Sequence, residues 1–431
     1  MKKISAHPFR VYSGSRGKIT IFDEETLNYA EVGSSHLVIL NAFKIARDPK
    51  KVIISMPLSK QKEAWRVLKE LDELGFFSRS KSIPYPKVFN LNPDIRAFRI
   101  ALTEECNLKC PECFVTKNRN NLKTMSHATL ETVIKKTISY GTSEKITYHF
   151  FGGEPLIRFD HIKRTVDMVN EAVKTRKMIK PFYTMTTNLT FLNDNMIRFF
   201  KKNDFKIGVS IDGPENINNK FRIYKNGRGS FKDTKHNYYR LIKAGIDTHV
   251  LITPHAGFLD QLPKIFRGTL KTFPSKTITI NTPFHYRSLA WNIDGEKYAQ
   301  ILVKLVRIAR KNKVTIDSAA SPILFSLANN IKRHCPCMFN NGYIMASIST
   351  EGHLSFCSQN WNDVLLTNFK GKMNIPIKRI SQCSKCEARH ICGGPCPAFQ
   401  IISGKEIDRQ KCRFMQTILK EIAMNAKIFG E

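Results

Sequence analysis

The sequence predicts an α/β protein built on parallel strands with helical crossovers, preceded by a hairpin-and-helix unit and followed by a cysteine-rich tail. Three observations carry this reading. From about Ile95 to Lys313, six apolar β-rich runs alternate with amphipathic stretches, the pattern of parallel strands joined by helices. Three of the 11 cysteines, Cys106, Cys110 and Cys113, follow the first run, and the other eight fall in the last third of the chain. At 431 residues the chain is too long for one ordinary domain.

In chain order, residues 1–80 read as a unit of their own. Phe9 to Tyr12 and Lys18 to Phe22 are β-type runs joined by Ser13-Gly14-Ser15-Arg16-Gly17, and Thr26 to Val32 is a third. A first helix is expected from Ser35 to Ala46, stopping before Asp48-Pro49. A second starts after Pro57 with Ser59 as N-cap, presents Ala64, Trp65, Leu68, Leu71 and Leu74 on one face, and closes at Gly75. A hairpin followed by helices is a winged-helix plan. Residues 81–94, with Pro84, Pro86 and Pro93, form a linker. The six β runs are Ala97–Leu102, Lys145–Phe151, Phe182–Thr187, Lys206–Ile211, Thr248–Thr253 and Thr277–Thr282. Between Ser126 and Tyr140, the residues Leu130, Val133, Ile134 and Ile138 line one helical face.

Ligands in such folds bind at the carboxyl ends of the strands, and the unusual residues fall there. In Glu105-Cys106-Asn107-Leu108-Lys109-Cys110-Pro111-Glu112-Cys113 the three thiols are close enough for one loop to wrap one metal centre. Three thiolates leave one iron of a cubane cluster open to another ligand; a structural zinc loop is the alternative. The second run ends in Gly152-Gly153-Glu154-Pro155, where glycines let backbone approach a ligand and the carboxylate suits an ammonium group. The third ends Thr186-Thr187-Asn188, and the fourth gives Ser210-Ile211-Asp212-Gly213-Pro214 and then Arg222, whose planar fork of donors suits a carboxylate. Without a ligand, Asp212-Gly213-Pro214 is a turn and Arg222 a surface charge.

The Cys-x3-Cys-x2-Cys spacing resembles the signature of radical S-adenosylmethionine (radical SAM) enzymes. The resemblance implies a partial (β/α)6 barrel over residues 95–313 and a [4Fe-4S] cluster on Cys106, Cys110 and Cys113. It further implies a SAM site with Gly152, Gly153 and Glu154 at the amino group, Asn188 at the third strand end, and Ser210 and Arg222 at the carboxylate. Three positions depart from the family pattern. Glu112 stands before the third cysteine where an aromatic residue usually covers the adenine, so that face falls to Phe114 or a later side chain; Leu189 stands where glycine is common, and Asn218-Asn219 replaces a frequent His-Asp pair.

In the tail, Cys337 is followed by Gly352 and Cys357, then by Cys383-x2-Cys386-x5-Cys392-x3-Cys396 and Cys412. This spacing resembles the SPASM extension, here residues 314–431, and implies two auxiliary [4Fe-4S] clusters. Cys335, Cys337, Cys357 and Cys396 are expected to hold the first, and Cys383, Cys386, Cys392 and Cys412 the second. A pair of zinc knuckles is the plain alternative. Residues 1–80 resemble the leader-recognition element of enzymes that modify ribosomally made peptides, in which a leader adds as a strand.

The three parts together resemble radical SAM–SPASM maturases. In these, a 5′-deoxyadenosyl radical takes hydrogen from a core-peptide residue and a C–C, ether or thioether crosslink closes. The partners implied are a precursor peptide and a flavodoxin- or ferredoxin-type reductant. Two alternatives stand beside this: an anaerobic sulfatase-type maturase forming formylglycine, and a nucleic-acid-binding iron–sulfur regulator. The net charge of +33 favours acidic partners, but the Lys and Arg are spread along the chain, and the Gly-Gly-Glu-Pro and Ser210/Arg222 sets argue against nucleic acid. Met1 to Pro8 lacks a signal-peptide core and no apolar run has membrane-spanning length, so reduced thiols in the cytoplasm and no membrane are expected. Tyr286, His285 and Trp291 are candidates for a substrate channel, with packing as the plain alternative; no general base stands out.

Overall fold

The computed structural model describes residues 3–13, 19–78, 90–91, 94–111, 113, 115, 121–140, 146–176, 181–282, 284–285, 290–333, 343–355, 357, 365–366, 373–374 and 380–425. The predicted turn at 14–17, Glu112, Phe114, Tyr286, Cys335 and Cys337 lie outside them, as does the side chain of His285.

At the front, β1 (Phe9–Ser13), β2 (Ile19–Asp23) and β3 (Tyr29–Val32) pair antiparallel in that order. Three helices follow: α1 (Ser34–Ala42), α2 (Pro49–Ile54) and α3 (Leu58–Glu73). The helix α2 was not expected. Asp48 accepts a hydrogen bond from the Lys50 amide and Pro49 occupies the first turn, so Asp48-Pro49 starts a helix as well as ending one. Pro57, not Ser59, is the residue before α3, and no side chain caps it. Its buried face is Ala64, Val67, Leu68 and Leu71, while Trp65 and Leu74 stay exposed at 37% and 45%.

The main body is one ten-stranded sheet. Its first six parallel strands are those predicted, in chain order: β4 (Asp94–Thr103), β5 (Ile146–Gly152), β6 (Pro181–Thr187), β7 (Lys206–Ser210), β8 (Asp247–Ile252) and β9 (Thr277–Ile280). The strand β10 (Thr315–Asp317) extends the sheet past β9, and β11 (Tyr343–Ile348) pairs parallel to β4 at the other side. Beyond β11 lie the antiparallel pairs to β12 (Leu354–Ser355) and β13 (Leu365–Leu366). Thus the sheet runs past the six strands into the cysteine-rich part.

Crossover helices α4 (His127–Tyr140), α5 (Phe159–Arg176), α6 (Asp194–Lys202), α7 (Glu215–Phe221), α8 (Phe231–Lys243), α9 (Leu262–Thr272) and α10 (Gly295–Lys311) join the strands. The strand alternation separates two faces. Phe98, Ile100, Tyr148, Phe150, Tyr183, Met185, Ile207, Val209, Val250 and Ile252 belong to the apolar core shared with the helices. The intervening positions are largely polar: Arg99, His149, Thr184, Thr186, Ser210 and His249. One face of the sheet is dry, and the other carries chemistry.

The front sheet is also two-faced. Ile21 packs in the front unit's own core with Leu40, Phe43, Val67 and Leu71, whereas Tyr12, Phe22 and Leu27 join the main core. Beside that seam, Glu25 takes a salt bridge from Lys332 at 2.8 Å and another from Arg389 at 3.0 Å, and Arg389 also meets Glu24. The helices that follow in the tail are α11 (Ser321–Ala328), α12 (Ser381–Ser384), α13 (Arg389–Cys392), α14 (Pro397–Ser403) and α15 (Arg409–Met424). Among the described residues no helix is long and apolar enough to cross a membrane.

Candidate active site

The cysteine loop leaves β4 at Thr103 and is held against the end of β5 by backbone hydrogen bonds and by Phe151, which packs with Val115 and Cys113. The Gly153 amide donates to the Thr103 carbonyl at 2.7 Å, and the Glu154 amide to that of Glu105 at 2.8 Å. A Cβ on Gly152 would meet the Thr103 oxygen at 2.1 Å, and one on Gly153 the Glu105 oxygen at 2.1 Å. Only glycine permits this approach, so the Gly-Gly pair works as a clasp on the cysteine loop. Beyond it, the Lys109 amide bonds to the Ile223 carbonyl at 2.8 Å, tying the loop to the segment after α7.

All three thiols line one cavity of about 250 Å³ at the strand ends. Burial, then Glu154 and the neighbouring thiols, push Cys106 up to about 12, and burial raises Cys110 to about 11 against the pull of Arg222. Burial disfavours the charged form of a thiol, and a metal centre that binds thiolates offsets that cost. A three-sulfur set with no fourth thiol lining the cavity among the described residues fits a cluster with an open iron. The Cys106 sulfur accepts from the Leu108 amide at 3.4 Å and from Asn188 Nδ2 at 3.5 Å. Asn188, expected at SAM, therefore also positions a cysteine.

Two buried carboxylates lie at these strand ends: Asp212 lines the cavity, and Glu154 sits behind Gly153, Thr187 and Asn188, which line it. Glu154 accepts from Thr187 Oγ1 at 2.6 Å, the Asn188 amide at 2.7 Å and the Leu156 amide at 3.1 Å. Burial pushes it up to about 7 against those three bonds. Asp212 lies 2.9 Å from Arg222 Nε and 3.6 Å from His255 Nε2, and accepts from the Thr253 amide at 2.9 Å. Although burial raises it, Arg222 and His255 bring it down to about 2. The turn reading of Asp212 was too modest, and Arg222, its side chain 16% exposed, is an ion-pair partner, not a surface charge. Ser210 lines the same cavity.

Several residues had not been singled out. His255 stacks on Phe221 with centroids 3.6 Å apart, and both border the cavity with Asn281. No motif marks them; a Thr-Pro-His run just past a strand end was the available signal. Asn218 and Asn219 have structural tasks: Asn218 accepts from the Asp212 amide at 3.1 Å, and Asn219 from the Phe231 amide at the start of α8 at 3.0 Å. Leu189 is held at φ 52°, the left-handed conformation that the common glycine would adopt freely. Trp291 packs on Phe414 and Tyr298 and is not among the residues lining the cavity.

In the tail, Cys383, Cys386, Cys392, Cys396 and Cys412 border one small cavity between α12, α13, α14 and α15. Burial, followed by the charges of Cys392, Cys383 and Cys386, pushes Cys412 up to about 12. Such a thiolate-rich set suits a four-coordinate metal or cluster. Cys396, expected with Cys357, borders the same space. Cys357 donates its amide to Ser355 Oγ at 3.1 Å, next to the end of the main sheet.

Residues 100–267 match the sequence profile of the Radical SAM superfamily, and this part of the chain is a radical SAM enzyme domain. The assignment implies SAM and a [4Fe-4S] cluster. Over 171 residues the chain is 30% identical to a cysteine-type anaerobic sulfatase-maturating enzyme of Clostridium novyi, a match covering 38% of this chain and 45% of that enzyme. In fold it is similar to native anSMEcpe with bound AdoMet, at TM-score 0.63 and 17% identity over 76% of this chain and 99% of that one. It is also similar to Streptococcus suis SuiB bound to precursor peptide SuiA, at TM-score 0.52 and 14% identity over 95% and 98%.

Proposed function

We propose that the chain is a peptide maturase that crosslinks a ribosomally made precursor, with residues 1–80 receiving its leader, 81–94 as linker, 95–313 as the radical SAM barrel and 314–431 as a SPASM region with two auxiliary clusters. The observation that carries this is the front unit. Three strands and three helices form a separate core yet are bolted to the tail through Glu24, Glu25 and Arg389, a place from which a bound leader can present its core to the cavity. Exposed Val38, Ile54, Leu58 and Trp65 offer apolar purchase for a peptide. The similarity to SuiB, a structure solved with a precursor peptide, extends over nearly the whole chain, and that to anSMEcpe over about three quarters.

When bound, the cluster and SAM supply one-electron reduction and hydrogen-atom abstraction. The chain's residues do the positioning. Glu154, carried by its three donors, receives the amino group of SAM beside Gly152 and Gly153, while Arg222, steadied by Asp212, and Ser210 receive the carboxylate. Asn188 holds Cys106 in place. Each crosslink removes two hydrogens from the peptide.

The second reading, a sulfatase-type maturase, is favoured by the 30% identity to the Clostridium enzyme. Anaerobic co-expression with a short candidate precursor, followed by mass spectrometry, separates the two. A loss of two mass units per crosslink that requires both Cys106 and residues 1–80 is expected; formylglycine formed in a sulfatase peptide, with the precursor untouched, would reverse the assignment.

A further inference from the structure

We propose that His127, Asp160 and His161 form a binding site for a divalent first-row transition ion of the zinc type, bridging the starts of α4 and α5. The site is separate from the proposed function: none of the three lines the SAM cavity, and no cysteine takes part.

The chain brings the ligands together from two helix starts. His127 is the first residue of α4, and Asp160 and His161 stand in the first turn of α5, just after the one-turn helix Pro155–Arg158. One ligand atom from each lies within 4.8 Å of the other two. Asp160 Oδ2 is 3.3 Å from His127 Nε2 and 2.8 Å from His161 Nδ1. Around zinc, with bonds of about 2.0–2.2 Å, neighbouring ligand atoms of a tetrahedron lie about 3.4 Å apart. The pair with His127 already stands near that spacing, and the pair with His161 has to open by about 0.6 Å.

The hydrogen bonding of His161 prepares it as a ligand. Its side chain is fully buried, and its Nε2 lies 2.8 Å from the Met125 carbonyl oxygen. A carbonyl only accepts, so Nε2 carries the hydrogen, and in the neutral ring Nδ1 keeps its lone pair. A metal-binding histidine is oriented in this way, its second nitrogen donating to a backbone carbonyl or carboxylate. Met125 is itself anchored, since its amide donates to the Leu102 carbonyl at the end of β4 at 3.0 Å.

The Nδ1 lone pair and the Asp160 oxygen then stand 2.8 Å apart, two acceptors that need a positive group between them. Arg158 supplies it: one guanidinium nitrogen lies 2.9 Å from Asp160 Oδ2 and 3.0 Å from His161 Nδ1. The guanidinium stands where a metal ion would bind. Arg158 is 26% exposed, Asp160 46% and His127 64%, so Arg158 can turn out to solvent and an ion can enter from there. Two imidazoles and one carboxylate suit zinc and its neighbours better than calcium or magnesium, which take oxygen ligands. Helix starts disfavour cations, and Arg158 has to be displaced, so the affinity expected is modest.

The test is an anaerobic titration of the cluster-reconstituted full-length protein with Zn2+ against a chromophoric chelator, with iron measured in the same samples. One zinc per chain at full iron is expected. His127→Ala, which removes an exposed side chain, should weaken that binding by about tenfold or more; His127→Gln takes its place if the Ala protein folds poorly. Arg158→Met, which removes the competing cation, should tighten it several-fold, a gain that an ion-pair network with no metal role would not produce. Equal binding by wild type and the His127 variant, weaker binding by Arg158→Met, or zinc taken up only as iron is released would each overturn the inference.

Discussion

Glu154 and Asp212 are both buried carboxylates at the strand ends, yet their surroundings push them in opposite directions. Asp212 already has its cation. It sits in a fork with Arg222, and His255 adds to the pull, so it is ionised at any ordinary pH. Glu154 has three neutral donors and no cation in hydrogen-bond reach among the described residues, and its pKa is pushed up to about 7. The difference separates a carboxylate paired with a cation from one held by neutral donors. Asp212 spends its charge on holding Arg222 still, whereas Glu154, on the proposed reading, is the carboxylate left for a ligand. In the proposed function an incoming ammonium group would complete the second site in the way that Arg222 completes the first.

The largest effect expected comes from removing what both carboxylates surround. Cys106→Ala should lose the iron of one cluster and bring SAM cleavage down to the uncatalysed level, measured as 5′-deoxyadenosine formed by reduced protein. If cleavage persisted, the cavity lined by Cys106, Cys110 and Cys113 would not be where SAM reacts.

Next is Asp212→Asn, which leaves Arg222, 16% exposed, as an uncompensated charge. Breaking a buried pair by removing one partner costs about 3–5 kcal/mol, so thermal or urea denaturation should show a clear loss of stability even without SAM. The pH dependence has a definite sign. Asp212 has a folded pKa of about 2, below its usual 3.8, so its contribution is present above about pH 4 and fades as pH falls through 2. An Asp212→Asn protein as stable as wild type at neutral pH would contradict the pairing.

Glu154→Gln should behave in the opposite manner, with binding affected more than stability. Charge-assisted hydrogen bonds contribute about 1.5–3 kcal/mol, so SAM affinity should fall roughly 10- to 100-fold. Because a cation prefers the ionised carboxylate, wild-type affinity should rise with pH through about 7 and then level off. Glu154→Gln should lose that dependence. Anaerobic calorimetry at several pH values measures both, and a flat wild-type profile would mean that Glu154 is already ionised without its ligand.

This contrast also shows which parts of the site were legible in the sequence. Cys106-x3-Cys110-x2-Cys113 and Gly152-Gly153-Glu154-Pro155 are local patterns, and their physics is local as well: a loop around a metal, and glycines where a Cβ would strike the Thr103 and Glu105 carbonyls. Asp212 was read only as part of a turn, because its partner lies ten residues on, across α7, and its other contacts come from the loop after β8. His255 and Phe221 were missed for the same reason; they meet only when two strand ends are brought side by side. The six strands were legible from their alternation, but β10 is three residues long and β11 lies within the cysteine-rich part, where metal spacing drew the eye from its apolar Tyr343–Ile348 run. Asp48-Pro49 was taken only for a stop, although a capping Asp before Pro is also a start.

The smallest expected effect concerns the backbone that presents Glu154. Leu189 is fully buried at φ 52°, and its amide bonds to Thr187 Oγ1 at 2.9 Å, the same hydroxyl that donates to Glu154. Left-handed backbone costs an L-residue about 1–2 kcal/mol, here offset by burial of the Leu side chain in the core. Truncation to Ala removes the burial and keeps the strain, while truncation to Gly removes both. Elsewhere Gly is less stable than Ala by about 0.5–1 kcal/mol; at this position the order should reverse, with Leu189→Gly more stable than Leu189→Ala by about 1 kcal/mol in urea denaturation. Both should be less stable than wild type, since a large buried side chain is lost. The freer Gly backbone holds Thr187 less firmly, so Leu189→Gly should also bind SAM slightly more weakly than Leu189→Ala despite its greater stability. If Ala proved the more stable of the two, the left-handed turn would not hold in solution, and Glu154 would have to be fixed by its own donors alone.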